Sequence, residues 1–271
     1  MLDLVSERLL LAFNWLDWLA LTWFVLCWAW YYEYSRRRQR SKRCLAGVMH
    51  SYRYDWMTRL LTREARIADA TIMTHLERNG AFFASSALLI LAALFGLMGA
   101  TDRALVVLAD LPFAGIEPTR LGLEIKLLLL IALFIYAFFT FTWSMRQYNF
   151  CAILIGSAPT PNEKDATPGA RKMFAVQAAN VIDLAANQFN YGLRAYYFGL
   201  ALLGWFLHPL AFIVATAGVV GVLYRREFHS KTLKALAAGR DLDLTFRGIL
   251  QKDELNSEPP SNQGKPDKQG N

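Results

Sequence analysis

Four stretches of this chain run on with almost no charge, and they limit what it can fold into. Residues 79–101, 127–145 and 195–224 carry no acidic, lysine or arginine side chain, and residues 9–32 carry one, Asp17. A helix needs about 20 apolar residues to cross a hydrocarbon core of about 30 Å. Each stretch is long enough. A soluble domain usually spends about 25% of its residues on charge; this chain of 271 residues spends 19%, with 55% apolar. That composition excludes a disordered protein and argues against a soluble enzyme. The expected fold is all-α, a polytopic helical membrane protein.

The first stretch is read as a retained span. It opens on Met1, Leu2, Asp3 and Leu4, without the basic start of a cleaved signal peptide. Trp15 and Trp18 crowd one end, and Trp28, Trp30, Tyr31 and Tyr32 the other. Such rings favour the two headgroup levels. The last stretch is 30 residues long, about 45 Å as a straight helix, and His208-Pro209 interrupts it. Proline removes a backbone donor and pushes the residue before it out of helical geometry. The stretch is therefore either one kinked span or a hairpin of two.

Charge separates these readings. Residues 33–80 hold eleven basic and five acidic side chains, and residues 101–126 hold three and four. Residues 146–194 hold five and three, and the segment after Tyr224 opens with Arg225, Arg226, Lys231 and Lys234 against Glu227. Basic loops stay in the cytoplasm. The hairpin puts every basic segment there, so the expectation is about five spans. They cover 9–32, 80–100, 125–145, 190–207 and 210–225, with the N-terminus outside and the C-terminus inside. Residues 1–235 form the membrane domain with long helices extending into the cytoplasm. Residues 236–255 form a cytoplasmic segment. Residues 256–271, rich in Pro, Asn, Gln, Gly and Lys, are expected to be a disordered tail.

Residues 51–80 contain no proline or glycine before Gly80 and read as one helix. On it Arg59, Arg63 and Arg66 form a stripe at i, i+4, i+7, suited to anionic lipid or an anionic ligand. Gly156, Pro159, Pro161, Pro168 and Gly169 make residues 155–169 a loop, with helix resuming near Ala170. Beyond it Asn180, Asp183, Asn187, Asn190 and Arg194 recur at spacings of 3, 4, 3 and 4. They fall within an arc of about 80°. Asparagine is a mediocre helix former whose amide both donates and accepts. A run of it heading into a span suits interhelical hydrogen bonds, a hydrated path or a pocket. Arg66 and Asp69 are candidate charge partners for this seam. Asp17 falls in the outer half of the first span, where an ionisable group is costly. Glu124 and Lys126 stand at the outer entrance of the third span, and His208 reads as a turn residue.

No phosphate-cradling GxxxxGK[ST] or GxGxxG, no HExxH and no GxSxG occurs. His50, His75, His208 and His229 have no metal-ligand spacing, and no cofactor is expected. Cys27, Cys44 and Cys151 are too scattered for a disulfide framework and read as reduced thiols. The net charge of +7 and the basic run from Arg36 to Arg43 admit nucleic acid. The run abuts a span, however, and attraction to anionic lipid explains it more simply. Nucleic acid is not expected as a partner.

The chain also resembles a known group. The resemblance covers roughly residues 5–235. It rests on Arg53 with Trp56-Met57, Arg66-Ile67-Ala68-Asp69, Phe82-Phe83-Ala84-Ser85 and the segment from Phe189 through Asn190 and Arg194 to Phe198. Trp205-Phe206 and Tyr224-Arg225-Arg226-Glu227-Phe228 complete it. These residues resemble the bacterial and plant membrane proteins of the domain of unknown function 599 family. The resemblance implies an integral inner-membrane protein in bacteria and supplies no activity. The leading functional expectation is a homo-oligomeric channel or transporter for a small polar solute or ion, lined by the seam. The first alternative is a non-catalytic scaffold that binds lipid or a partner. The second is a lipid-acting membrane enzyme, for which no catalytic constellation is visible.

Overall fold

In the computed structural model, residues 13–38, 44–109, 119–240 and 242 are described. Within them the chain is helical, with no strand. The elements are α1 (Trp15–Arg38), α2 (Leu45–Leu60), α3 (Ile67–Gly99), α4 (Thr101–Ala109), α5 (Arg120–Ser157), α6 (Pro168–Leu207) and α7 (Pro209–Phe228). A short α8 follows over residues 231–240. Residues 9–12 of the first expected span, residues 39–43 of the basic run and the expected tail 256–271 lie outside the described residues. So does most of the segment 236–255.

Three stretches are long and apolar enough to cross a membrane: Ile67–Gly99, Arg120–Ser157 and Pro209–Arg240. α3, α5 and α6 have 33, 38 and 40 residues, about 50, 57 and 60 Å. Each exceeds a bilayer core by about 20 to 30 Å. The start of α3, the end of α5 and the start of α6 come together at one end, and the bundle holds two cores. The first is aromatic and aliphatic. It joins Phe24, Phe141, Phe198, Trp205 and Phe212 to Leu127, Leu130 and Ala137. The second is built by α2, the start of α3, the end of α5 and the start of α6. It joins Met57, Leu60, Met73, Cys151 and Ile155 to Ala175, Ala178, Ala179, Ile182 and Ala185.

α3, α5 and α6 alternate in direction. Phe83 stacks on Phe141 at 5.3 Å, and Phe141 meets Phe189 and Tyr196 at 5.5 and 5.6 Å. Gly192 permits this approach, because a Cβ there would sit 2.6 Å from the Phe141 ring. Ser144 Oγ ties α5 to α6 by donating to the Ala185 carbonyl at 2.7 Å.

His208 resolves the interrupted stretch into two helices. It is at once the C-cap of α6 and the N-cap of α7, with an extended backbone, and its imidazole Nδ1 accepts from the Leu210 amide at 3.1 Å. Pro209 occupies the first turn of α7, where its missing donor costs nothing. α7 then folds back along α6. Trp205 stacks on Phe212 at 5.1 Å, and Arg226 Nη1 donates to the Tyr197 hydroxyl at 2.5 Å, far too close for one kinked rod.

Three boundaries differ from expectation. Residues 51–80 are not one helix: α2 stops at Leu60 and α3 starts at Ile67. No glycine or proline signals this break. It is held by tertiary bonds, chiefly from the Arg66 side chain, which reaches the far end of α5. The loop expected over 155–169 is shorter, because α5 continues through Gly156 to Ser157 and α6 starts at Pro168 under a Thr167 N-cap. Asn14 lies just before α1 rather than inside it. Its side chain accepts from the Trp15 amide at 2.8 Å, and its own amide donates to Asp17 Oδ2 at 3.1 Å.

Candidate functional site

The seam on α6 starts in the second core and ends in the first, so its five residues meet different surroundings. Asp183, 16% exposed, is the most engaged. Arg53 Nη1 donates to its Oδ1 at 2.5 Å and the His50 ring bonds its Oδ2. Both partners come from α2, one turn apart, so a guanidinium and an imidazole from one helix close on one carboxylate from another. Arg194 Nη2 donates to Ser35 Oγ on α1 at 2.7 Å. Its guanidinium lies 5.0 Å from the Tyr31 ring centre and 5.5 Å from that of Tyr191, and its Nη1 is buried without a partner among the described residues. Asn187 is half-buried, while Asn180 and Asn190 are exposed. The seam thus has two anchored members, Asp183 and Arg194, that bind α6 to α2 and α1. Its two exposed amides face away from the rest of the chain.

Arg66 and Asp69 bond neither to each other nor to the seam. Arg66 donates to the carbonyls of Ile155, Ala158 and Pro159 at 3.1, 2.7 and 2.7 Å. The Ile155 carbonyl lies in α5's last turn and those of Ala158 and Pro159 just past it, where a cation also meets the negative end of the helix dipole. Arg171 clamps the same loop from the other side, donating to the carbonyls of Thr160, Glu163 and Ala166. Asp69 is 1% exposed. Its Oδ1 accepts from Trp56 Nε1 at 2.6 Å and from Arg63 Nη1 at 2.9 Å.

The expected stripe of Arg59, Arg63 and Arg66 is not a stripe. The break at 61–66 leaves Arg59 on α2, Arg63 in the turn and Arg66 turned to the end of α5. Arg59 and Arg63 nevertheless share a cavity of about 380 Å³ with Tyr52, Asp55, Trp56 and Arg240. Arg240 comes from α8, pairs with Asp55 at 3.3 Å and lies 6.0 Å from the centre of the Tyr52 ring. Tyr52 holds α8 by donating from its hydroxyl to the Leu236 carbonyl at 2.9 Å. Among the described residues, Arg63 and Arg240 have carboxylate partners and Arg59 has none. The cavity therefore offers guanidinium forks beside aromatic walls, the chemistry that takes a phosphate or carboxylate bidentately.

His50, Arg53, Trp56 and Arg240 are the members of this end that the site reading by residue pattern misses. The i, i+3 spacing of His50 and Arg53 opposite a lone seam carboxylate was the available signal. Arg240 had none, because its neighbours are distant in sequence. Among the described residues no three His, Cys, Asp or Glu side chains gather to hold a metal ion. Cys44 caps α2 by accepting from the Gly47 amide at 3.3 Å, and burial pushes its thiol above the ordinary range.

At the opposite end, Asp17 is 6% exposed and its Oδ1 accepts from Trp205 Nε1 at 2.6 Å. Lys126 Nζ donates to the Trp205 carbonyl at 3.0 Å and stands 5.1 Å from the centre of its ring. Glu124 is bound by Arg120 at 2.9 Å. One tryptophan thus bonds both the buried Asp17 and the half-buried Lys126.

No curated protein and no solved structure matches the chain. A family model described as protein of unknown function, DUF599, matches residues 19–232, nearly the whole described bundle. The chain belongs to the DUF599 family.

Proposed function

We propose that this is a five-crossing protein of the bacterial inner membrane, with its N-terminus outside and its C-terminus in the cytosol. It acts as a non-catalytic scaffold whose cytosolic bundle binds an anionic group. The three long apolar helices support the membrane assignment directly. α1 and the second half of α6 join them in the first core and turn Leu19, Trp23 and Leu26, and Leu200, Leu203 and Leu207, outward at the same level. Leaving those side chains in water would cost about 1.5 to 3 kcal/mol each. Orientation follows from where arginine collects. α1 ends in Arg36, Arg37 and Arg38, and α7 in Arg225 and Arg226, at the same end as the second core. That end is the cytosolic one by the positive-inside rule.

The observation that carries the binding role is the convergence of Arg59, Arg63 and Arg240 on one cavity, with Arg59 unpaired among the described residues. Titration of the purified full chain with inorganic pyrophosphate, followed by calorimetry, tests it. Saturable binding that Arg59→Gln weakens about tenfold is expected, the effect of losing one charged hydrogen bond. Binding that Arg59→Gln leaves unchanged rejects this cavity.

A second reading has its own support. Asn180 and Asn190 are exposed on the seam, an unusual use of amides on an open helix face. A homo-oligomer that brings these faces together around water would be a conduit for a small polar solute or ion. Flux through reconstituted liposomes, unchanged in both Asn187→Leu and Arg194→Ala, rejects that path. Disrupted assembly in mild detergent without any flux returns the seam to the scaffold.

A further inference from the structure

α1 and α7 run parallel, with Phe24 meeting Phe212 at 5.1 Å and, further along, Tyr34 meeting Tyr224 at 6.0 Å. Between them an open groove of about 670 Å³ is lined by Trp23, Leu26 and Trp30 from α1 and by Ala217, Gly221 and Tyr224 from α7. The small residues on α7 make the hollow, since a Cβ at Gly221 would meet nothing within 4 Å. The groove has a polar end. On α1 the lining positions 23, 26, 27 and 30 lead at helical spacing to Tyr34, Arg37 and Arg38, and on α7 Gly221 leads to Arg225. Tyr34 packs against Trp30 at 5.2 Å and Phe228 at 5.4 Å, and the Arg38 guanidinium lies 5.4 Å from the Tyr34 ring centre. The nearby carboxylates are committed: Glu33 accepts from Arg37 at 2.6 Å, and Glu227 from the Ala46 amide at 3.2 Å. The side chains of Arg36 and Arg225 make no hydrogen bond or ion pair among the described residues.

We propose that this groove binds one anionic glycerophospholipid of the cytosolic leaflet. An acyl chain lies against Trp23, Leu26 and Gly221, and the phosphate meets Arg38 and Arg225. Aromatic rings mark the headgroup level and arginines between helix ends on the cytosolic side favour anionic headgroups. A second copy of the chain fits the groove poorly, because its own arginine-ended helices would meet these at the same depth and repel them. The inference rests on the reading that α1 and α7 cross the bilayer.

Native mass spectrometry of the detergent-solubilised full chain tests it, with dioleoyl phosphatidylglycerol and dioleoyl phosphatidylcholine as probes. One phosphatidylglycerol should be retained in preference to phosphatidylcholine. Each of Arg38→Gln and Arg225→Gln should reduce that preference about fivefold. Gly221→Leu, which fills the hollow from open space, should abolish retention of both lipids while leaving the thermal unfolding midpoint unchanged. Equal retention of the two lipids overturns the proposal. So does full retention by Gly221→Leu, or a wild-type dimer that Gly221→Leu splits. Carbonate extraction of cell membranes separates the two levels. A chain released by carbonate fails the crossing reading, whereas an integral chain without lipid preference fails the groove alone.

Discussion

The two cores of this bundle share helices but are held in different ways. The first is closed by rings, with Phe83, Phe141, Phe189 and Tyr196 packed on one another and Phe24, Trp205 and Phe212 beside them. Its buried charges are few, and Trp205 bonds both Asp17 and Lys126. The second is built on four alanines of α6 and fastened by ion pairs from α2 and from the turn that follows it. In lipid, apolar contact between helices gains nothing from water, so shape and ring packing must decide. Where helices emerge into water, alanines let the backbones approach and charges can pair at their flanks without the full cost of hydrocarbon burial. The same three helices therefore change their means of association along their length.

Truncation in the first core should cost most. Phe141→Ala removes a fully buried ring shared by α3 and α6 and should lower stability by about 3 to 5 kcal/mol. Thermal unfolding in detergent reads this. A loss below about 1 kcal/mol would mean that rings do not govern that core. Next, Asp69→Ala leaves Trp56 Nε1 without its acceptor in the second core. Arg63, 45% exposed, can turn to solvent, so the expected loss is about 2 kcal/mol.

Asp183→Asn keeps the shape and removes the charge that Arg53 and His50 share. It should cost about 1 to 2 kcal/mol, and the cost should shrink in high salt because the pair is partly open to solvent. A loss unaffected by salt would place this site in the same class as the first core. Ser144→Ala removes one interhelical bond and should cost about 1 kcal/mol. The smallest effect is chemical. The raised Cys44 thiol should alkylate more slowly at neutral pH than an ordinary exposed thiol and speed up as pH rises. A rate at neutral pH equal to that of a model thiol contradicts this.

What could be read from the residues depended on how local the cause was. The uncharged stretches announce long apolar helices, and Pro209 announces a break because proline acts on its own backbone. The break at 61–66 was invisible, because its cause is the Arg66 side chain bonding carbonyls about ninety residues away. Helical spacing put Asp183 and Arg194 on one face of α6. It could not say that one would meet α2 and the other α1, since partner choice depends on how helices assemble. The arginine cavity was half legible: Arg59 and Arg63 stood out, while Arg240 joins them only through α8.

With the five proposed crossings, both basic helix ends and the second core should lie on one side of the membrane. Labelling intact cells with a membrane-impermeant maleimide tests it most directly. The background carries Cys27→Ala, Cys44→Ala and Cys151→Ala, with a single reporter at Asp102→Cys or Lys231→Cys. The Asp102→Cys chain should label from outside, and the Lys231→Cys chain only after the membrane is opened. Labelling of Lys231→Cys in intact cells would contradict it.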